Sequence, residues 1–208
     1  MGRPSDARKR LIEAARTVIF THSYESVSID ELCAAAGVHK SSFYHFFASK
    51  QELMLAAIET QWQSLETTLI QTFASHIPPP ERFLRFFELT LQQQMELQQR
   101  HEHMRGCPAG NLTLELSTQN EPIRLRLQQL FQQWLAYFEQ ALDDARAERL
   151  IPSDIDTTTT AQMLLAYFEG VLLLAKGQNN PALIATLRPG ILALMHYQDK
   201  DYLPLMSK

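Results

Sequence analysis

Cysteine is scarce in this chain. There are two in 208 residues, Cys33 and Cys107, too few for the disulfide framework that staples small secreted domains. Long apolar runs are missing too. No window reads as the roughly 18 consecutive apolar residues of a spanning helix, and the N-terminal residues are too charged for a secretory signal. These absences predict a reducing, cytoplasmic setting and no membrane partner. Period-two alternation is nearly absent, so no sheet is expected. No cluster of Cys, His, Asp and Glu has metal-ligand spacing, since His101 and His103 stand two apart on different sides of a helix. There is no phosphate loop and no nucleophile elbow. No metal, cofactor or catalytic residue is therefore expected. A net charge of −4 excludes a wholly basic nucleic-acid coat.

What is present is helical periodicity from end to end, broken at a few prolines and glycines. A first helix opens near Ser5 or Asp6, with Leu11, Ala14, Ala15, Val18 and Ile19 on its inner face. A long helix runs from residue 50 to about 73. Pro78, Pro79 and Pro80 interrupt it, because proline has no N–H to donate and clashes with the preceding turn. The next starts near Pro80 or Glu81 and fades in the polar residues 98–103. Residues 105–110 form a second break, followed by a short helix from about residue 111 to 117 and a long one from about 120 to 149. Asp154 or Asp156 opens another, and the last is expected to run unbroken from 182 to 196. The total is about nine helices in an all-α fold.

The densest information lies in residues 28–52, SIDELCAAAGVHKSSFYHFFASKQE. Ser28 and Glu31, and again Ser49 and Glu52, stand in capping-box spacing, which marks two helix starts. Ile29, Leu32 and Cys33 give the first short helix a buried side. Gly37 supplies a sharp turn, with Val38 as its apolar plug. The second short helix, about residues 40–47, sorts by spacing. Phe43 and Phe47 share one face, while Lys40 with Tyr44, and Ser41 with His45, share the other. Two short helices joined by a glycine turn are the sequence form of a helix-turn-helix, whose second helix enters the DNA major groove. The outward residues can donate to phosphates and base edges.

Charge is placed to match. Residues 1–50 carry seven Lys/Arg against five Asp/Glu, a net of +2, which leaves −6 for the remainder. Phosphates attract the first part and repel the second. Arg3, Arg8, Lys9 and Arg10 crowd the start of the first helix, placed to hold DNA backbone.

The segment SIDELCAAAGVHKSSFYHFFASKQEL resembles the DNA-binding signature of the tetracycline-repressor (TetR) family of transcriptional regulators. The specific motifs cover about the first sixty residues, and length and helix pattern match over the remainder. This chain has His39 where the family often has serine or threonine, and Ser41 where it often has glycine. The resemblance implies an N-terminal three-helix helix-turn-helix domain at 1–49. A helical effector-binding and dimerisation domain would follow at 50–208. The DNA contacts expected are Arg3, Ser28, His39, Lys40, Ser41, Ser42, Tyr44, His45 and Lys50. Repression of a palindromic duplex operator by a homodimer, relieved by a small-molecule effector, is the function implied. A helical scaffold, or an enzyme without a recognisable motif, is the alternative from another class; neither explains the sorted helix at 40–47.

The last two helices are apolar nearly all round, and such helices need a cover. A second copy of the chain supplies it by two-fold symmetry, which agrees with the family's pairing through its last two helices. Leu164, Phe168, Leu172, Leu187, Ile191 and Leu194 are the expected interface. Sites in helical bundles lie between helices, and Trp62, Phe83, Phe87, Met104, Phe131, Trp134 and Tyr137 are candidate pocket residues. In RGCPAGNLTLELS, Cys107 sits just before a helix start and beside Arg105, and both features favour the thiolate. This segment resembles the Gly-Cys-x-x-Gly-Asn-Leu stretch of the family branch that includes electrophile- and acrylate-responsive repressors, which implies Cys107 as a sensor. The residues themselves are equally compatible with Cys107 as a packing group at a bend.

Overall fold

The computed structural model describes residues 4–19 and 24–197, with the backbone alone for residues 4, 5, 18 and 19. Among the described residues there are ten helical segments and no strand: α1 Pro4–Ile19, α2 Ile29–Ala36, α3 Lys40–Phe46, α4 Lys50–Thr72, α5 Pro79–His101, α6 Pro108–Leu116, α7 Glu121–Ala147, α8 Thr157–Gly177, α9 Ala182–Leu187 and α10 Gly190–Leu194. They fall into two compact units, residues 1–65 with 108–130 and residues 66–107 with 131–208. The compact division is a different cut from the functional one expected after residue 49. It places α6 and the first turns of α7 in the same unit as the helix-turn-helix.

The first unit closes around Leu11, Ala15, Leu32, Phe43, Leu53, Met54, Trp62, Leu112 and Leu116, all nearly or fully buried. Three polar links fasten residues 108–130 to the helices near the N-terminus. Asn120 donates its side-chain amide to Gln51 Oε1 at 3.1 Å. Arg126 pairs with Glu59 at 2.7 Å. The backbone N–H of Tyr24 donates to Glu115 Oε1 at 2.6 Å.

The second unit is built on aromatic rings. Phe73, Phe83, Phe86, Trp134, Phe138 and Phe168 pack with centroids about 5–6 Å apart, mostly edge to face, the arrangement that ring quadrupoles favour. Arg82, 2% exposed, is the polar anchor. It donates to the carbonyls of Ile77 and Ser75 and pairs with Asp144. The carbonyls freed by the proline break between α4 and α5 thus find a buried donor.

Two boundaries and one property of α8 differ from the sequence reading. The helix expected from about residue 111 begins at Pro108, where a proline costs nothing because its missing N–H would be unpaired anyway. The last helix does not run unbroken to residue 196. It stops at Leu187 and restarts at Gly190, because Pro189 has no N–H to continue the ladder. Finally, α8 is long and apolar enough, by length and composition, to cross a membrane, which the sequence reading passed over. Leu164, Leu165, Phe168, Val171 and Leu172 on its inner side are buried within the second unit, the pattern of a core helix.

Candidate nucleic-acid interface and sensor cysteine

The helix-turn-helix forms as its sequence dictates. Ser28 Oγ accepts from the Glu31 N–H at 3.2 Å, and Glu31 Oε2 accepts from the Ser28 N–H at 2.7 Å, a complete capping box. Gly37 closes α2 at φ 60°, ψ 42°. The left-handed region costs a side chain about 1–2 kcal/mol and glycine nothing. Arg10 of α1 donates to the Gly37 carbonyl at 3.3 Å, so the turn is held from a third helix. The second box is shifted: Ser49 accepts from the Glu52 N–H, but Glu52 reaches the N–H of Ala48 rather than that of Ser49.

On α3, Phe43 is fully buried, and Phe47 at its C-cap is 2% exposed. Ser41, Tyr44 and His45 face solvent, and Ser42 is half-buried. His39 stands at the N-cap with no side-chain cap hydrogen bond. Its imidazole is exposed. Lys40 is exposed and pairs with Asp30 at 2.9 Å. The hydrogen bond to Asp30, then its charge, hold the Lys40 ammonium above its ordinary pKa. Ser28 is occupied as a cap. Arg3 lies outside the described residues.

Lys50 departs from expectation. Its ammonium points inward, donating to the carbonyls of Tyr24 and Val27 at 2.8 and 3.0 Å, with the Tyr24 ring 4.2 Å away beneath it. A half-buried cation is thereby held by two carbonyls and an aromatic face. In this structure it pins the chain that leads into α2. The Tyr24 node went unseen in the sequence because its partners, Lys50 and Glu115, lie 26 and 91 residues away. Arg8 lies over the Phe47 ring at 5.4 Å, fixing one of the α1 cations against α3.

A cleft in the first unit is lined by Ala15, Arg16, Met54, Ile58, Gln61 and Leu112, among others, and none of Cys107, Trp62, Phe83, Phe87, Met104, Phe131, Trp134 or Tyr137 lines it. Trp62, Phe83, Phe87, Met104 and Trp134 are buried core. Phe131 and Tyr137 are half-buried, and Phe131 stacks on Trp134 at 6.3 Å.

Cys107 is 9% exposed and is not in a disulfide. Its thiol donates to the carboxylate of Glu169 on α8, a group whose pKa burial pushes up and this hydrogen bond lowers only in part. The break around it is built rather than loose. Gln94 of α5, 3% exposed, brackets Gly106, donating to its carbonyl at 3.2 Å and accepting from its N–H at 3.1 Å. Gly106 itself sits at φ 68°. Asn179, just past α8, accepts from the Met104 N–H at 2.9 Å.

The expected interface residues divide. Leu164, Phe168, Leu172 and Ile191 are 0, 2, 3 and 0% exposed, so they are already spent on the unit's own core and cannot meet a partner. Leu187 and Leu194 are half-buried. The exposed apolar side of α8 is instead Met163, Leu173 and Leu174, with Ala166 and half-buried Gly170 between Met163 and Leu173 and Gly177 beyond them. These positions recur every three or four residues and form one stripe. The sequence showed that α8 is apolar on several sides, but not which side its own core takes.

Comparison with known proteins fits this geometry. The family described as "Bacterial regulatory proteins, tetR family" matches residues 11–57, and "Tetracyclin repressor-like, C-terminal domain" matches residues 81–191. The transcriptional regulator AcuR of Cereibacter sphaeroides is 32% identical over 175 residues, covering 84% of this chain and 78% of that protein. The HTH-type transcriptional repressor DhaR of Mycobacterium sp. (strain GP1) is 27% identical over 173 residues, 83% of this chain and 84% of that one. The crystal structure of a regulatory protein TetR from Rhodobacter sphaeroides superposes with a TM-score of 0.79 at 28% identity, over 92% of this chain and 99% of that chain. These relatives are regulators rather than enzymes, and the chain belongs to the TetR family of DNA-binding transcriptional regulators.

Proposed function

We propose that this regulator is a cytoplasmic repressor that binds a palindromic duplex operator as a homodimer and leaves it when a small molecule or electrophile acts on the region after residue 49. The observation that carries the DNA-reading part is the sorting of α3. Phe43, and Phe47 just past its end, are buried, while Ser41, Tyr44 and His45 are presented outward beside Lys40. The stripe Met163–Ala166–Gly170–Leu173–Leu174 supports pairing with a second copy. A Cβ added at Gly170 meets nothing within 4 Å, which leaves that face open to close helix contact. Two-fold pairing sets two copies of α3 about 34–36 Å apart, one helical turn of DNA.

The effector reading centres on Cys107. The buried Gln94 clamp and the Asn179 contact hold the cysteine in one geometry, as selective chemistry requires. A bulky adduct on Sγ cannot be fitted beside a 9%-exposed thiol without moving the break. That movement is the differential interaction by which modification shifts an equilibrium between DNA-binding and released forms. The test is operator binding by purified wild type and Cys107→Ser, before and after a mild electrophile. Release of the wild type alone supports the reading. Equal affinity of modified and unmodified wild-type protein for the operator sinks it.

A further inference from the structure

We propose that the cleft in the first unit binds small, neutral, mostly apolar molecules carrying one hydrogen-bond acceptor, and that their entry loosens α1. This rests on the reading that a small molecule releases the regulator, and gives that molecule a place and a chemistry apart from Cys107. Every lining residue belongs to the first unit, from α1, α4, α6 and α7. Three of these helices meet on small side chains, Ala15 of α1, Ala57 of α4 and Ala109 of α6. Methyl groups at these positions leave a gap that larger side chains would fill.

Two polar side chains, Arg16 and Gln61, interrupt an otherwise apolar lining, and Arg16 donates to Gln61 at 2.9 Å. Glu13 pairs with the Arg16 guanidinium at 3.1 Å, so the wall offers an anion little net attraction. One donor of Arg16 is left over. Its Nε is buried and has no hydrogen-bond partner, a condition that costs free energy. A neutral oxygen that reached it would remove that cost. Met54, 1% exposed, is the adaptable part of the wall, because an unbranched thioether repacks readily.

The size of the gap links occupancy to DNA. Its enclosed part is about 20 Å³, the room of a single water, and with its open mouth the empty space is about 310 Å³. A larger molecule settles only by parting α1 from α4 and α6. The α1 helix carries contacts that hold the DNA-reading helices. It packs against α2 and α3, its Arg10 donates to the Gly37 carbonyl, and its Arg8 lies over the Phe47 ring. Occupancy therefore favours a form in which these contacts are weakened, and the ligand's preference for that form is what lowers operator affinity.

The test titrates the full chain, with isotope-labelled methionine methyl groups, by nuclear magnetic resonance. The probe is cyclohexanone, a saturated ketone with no electron-poor alkene for Cys107 to attack. The Met54 methyl resonance is expected to shift saturably below about 10 mM, with Met104 of the second unit unmoved. Ala109→Leu, which fills the gap, is expected to abolish the shift, and Ala57→Val serves if that variant does not fold. Arg16→Met is expected to weaken binding about 10-fold, the worth of one hydrogen bond, and cyclohexanecarboxylate to bind more weakly than the ketone. No saturable shift at Met54, a shift at Met104 instead, full binding in the filled or Arg16 variants, or tighter binding of the carboxylate overturns the proposal. Operator affinity is expected to fall about 10-fold at saturation, in wild type and in Cys107→Ser alike. Ketone-bound protein that keeps its operator affinity overturns the loosening of α1. Failure of the cleft leaves the ketone inert in both proteins, whereas failure of the Cys107 reading leaves an electrophile inert in the wild type.

Discussion

Replacing Lys50 with methionine separates two roles that predict opposite results. Methionine keeps an apolar stem and removes the charge. The structure gives the ammonium two carbonyl acceptors, at 2.8 and 3.0 Å, and an aromatic face at 4.2 Å. A hydrogen bond from a charged donor is worth about 1.5–3 kcal/mol and a partly exposed cation–π contact about 0.5–1 kcal/mol. The two hydrogen bonds share one donor and the freed carbonyls recover water, so a loss of about 2–4 kcal/mol is expected. With a urea slope of about 2 kcal/mol/M, that lowers the unfolding midpoint by roughly 1–2 M. Operator affinity falls with it, because the chain entering α2 loosens. Its salt dependence holds, because no phosphate contact has been removed. If Lys50 reached phosphate instead, each site would contribute about 0.9 to the slope of log K against log salt. The slope would then drop by about 1.8 for a dimer while the urea midpoint stayed put. That second result would refute the inward pin.

Other perturbations test other parts. Gly37→Ala places a side chain at φ 60° with only an ordinary contact, 3.5 Å from Arg10, so the cost is conformational, about 1–2 kcal/mol by urea unfolding. Burial pushes the Asp144 carboxyl up, but hydrogen bonds from Arg82 and Gln140, with the Arg82 charge, outweigh it and leave the pKa low. A depressed carboxyl stabilises the fold above its unfolded pKa of about 4 and loses that contribution as pH falls through the folded value. The urea midpoint should therefore drop on acidification below about pH 4, less steeply in Asp144→Asn. Leu173→Glu with Leu174→Glu on the exposed stripe of α8 is expected to yield monomers in sedimentation and to weaken operator binding by at least 100-fold, with helix content unchanged. Glu115→Ala removes the acceptor of the Tyr24 N–H and is expected to cost about 1–3 kcal/mol, visible as faster amide exchange at Tyr24.

Local signals were legible in the sequence, and distant ones were not. The Ser28–Glu31 box, the Gly37 turn and the Phe43/Phe47 face each depend on residues within a few positions, and all appear as their spacing predicts. Pro108 and Pro189 moved boundaries because proline begins a helix as readily as it ends one. Lys50 sat among DNA-facing neighbours in sequence, but its acceptors come from residues 24 and 27, which spacing along one helix cannot reveal. Glu169 drew no notice, since nothing in the sequence links it to Cys107, 62 positions earlier. Leu164, Phe168 and Leu172 read as interface because α8 is apolar on several sides, and only packing shows which side the core claims.

The measurement that bears most directly on the central claim is nuclease footprinting of purified protein on the duplex upstream of its own gene, with Tyr44→Ala and Ser41→Ala alongside. The account predicts two protected half-sites related by a two-fold axis, one helical turn apart. It also predicts lost discrimination in the α3 variants, with folding unchanged and the salt slope unchanged or lowered by no more than the phosphate contacts removed. Protection without symmetry, or unaltered sequence preference in both variants, would contradict α3 as the element that reads DNA.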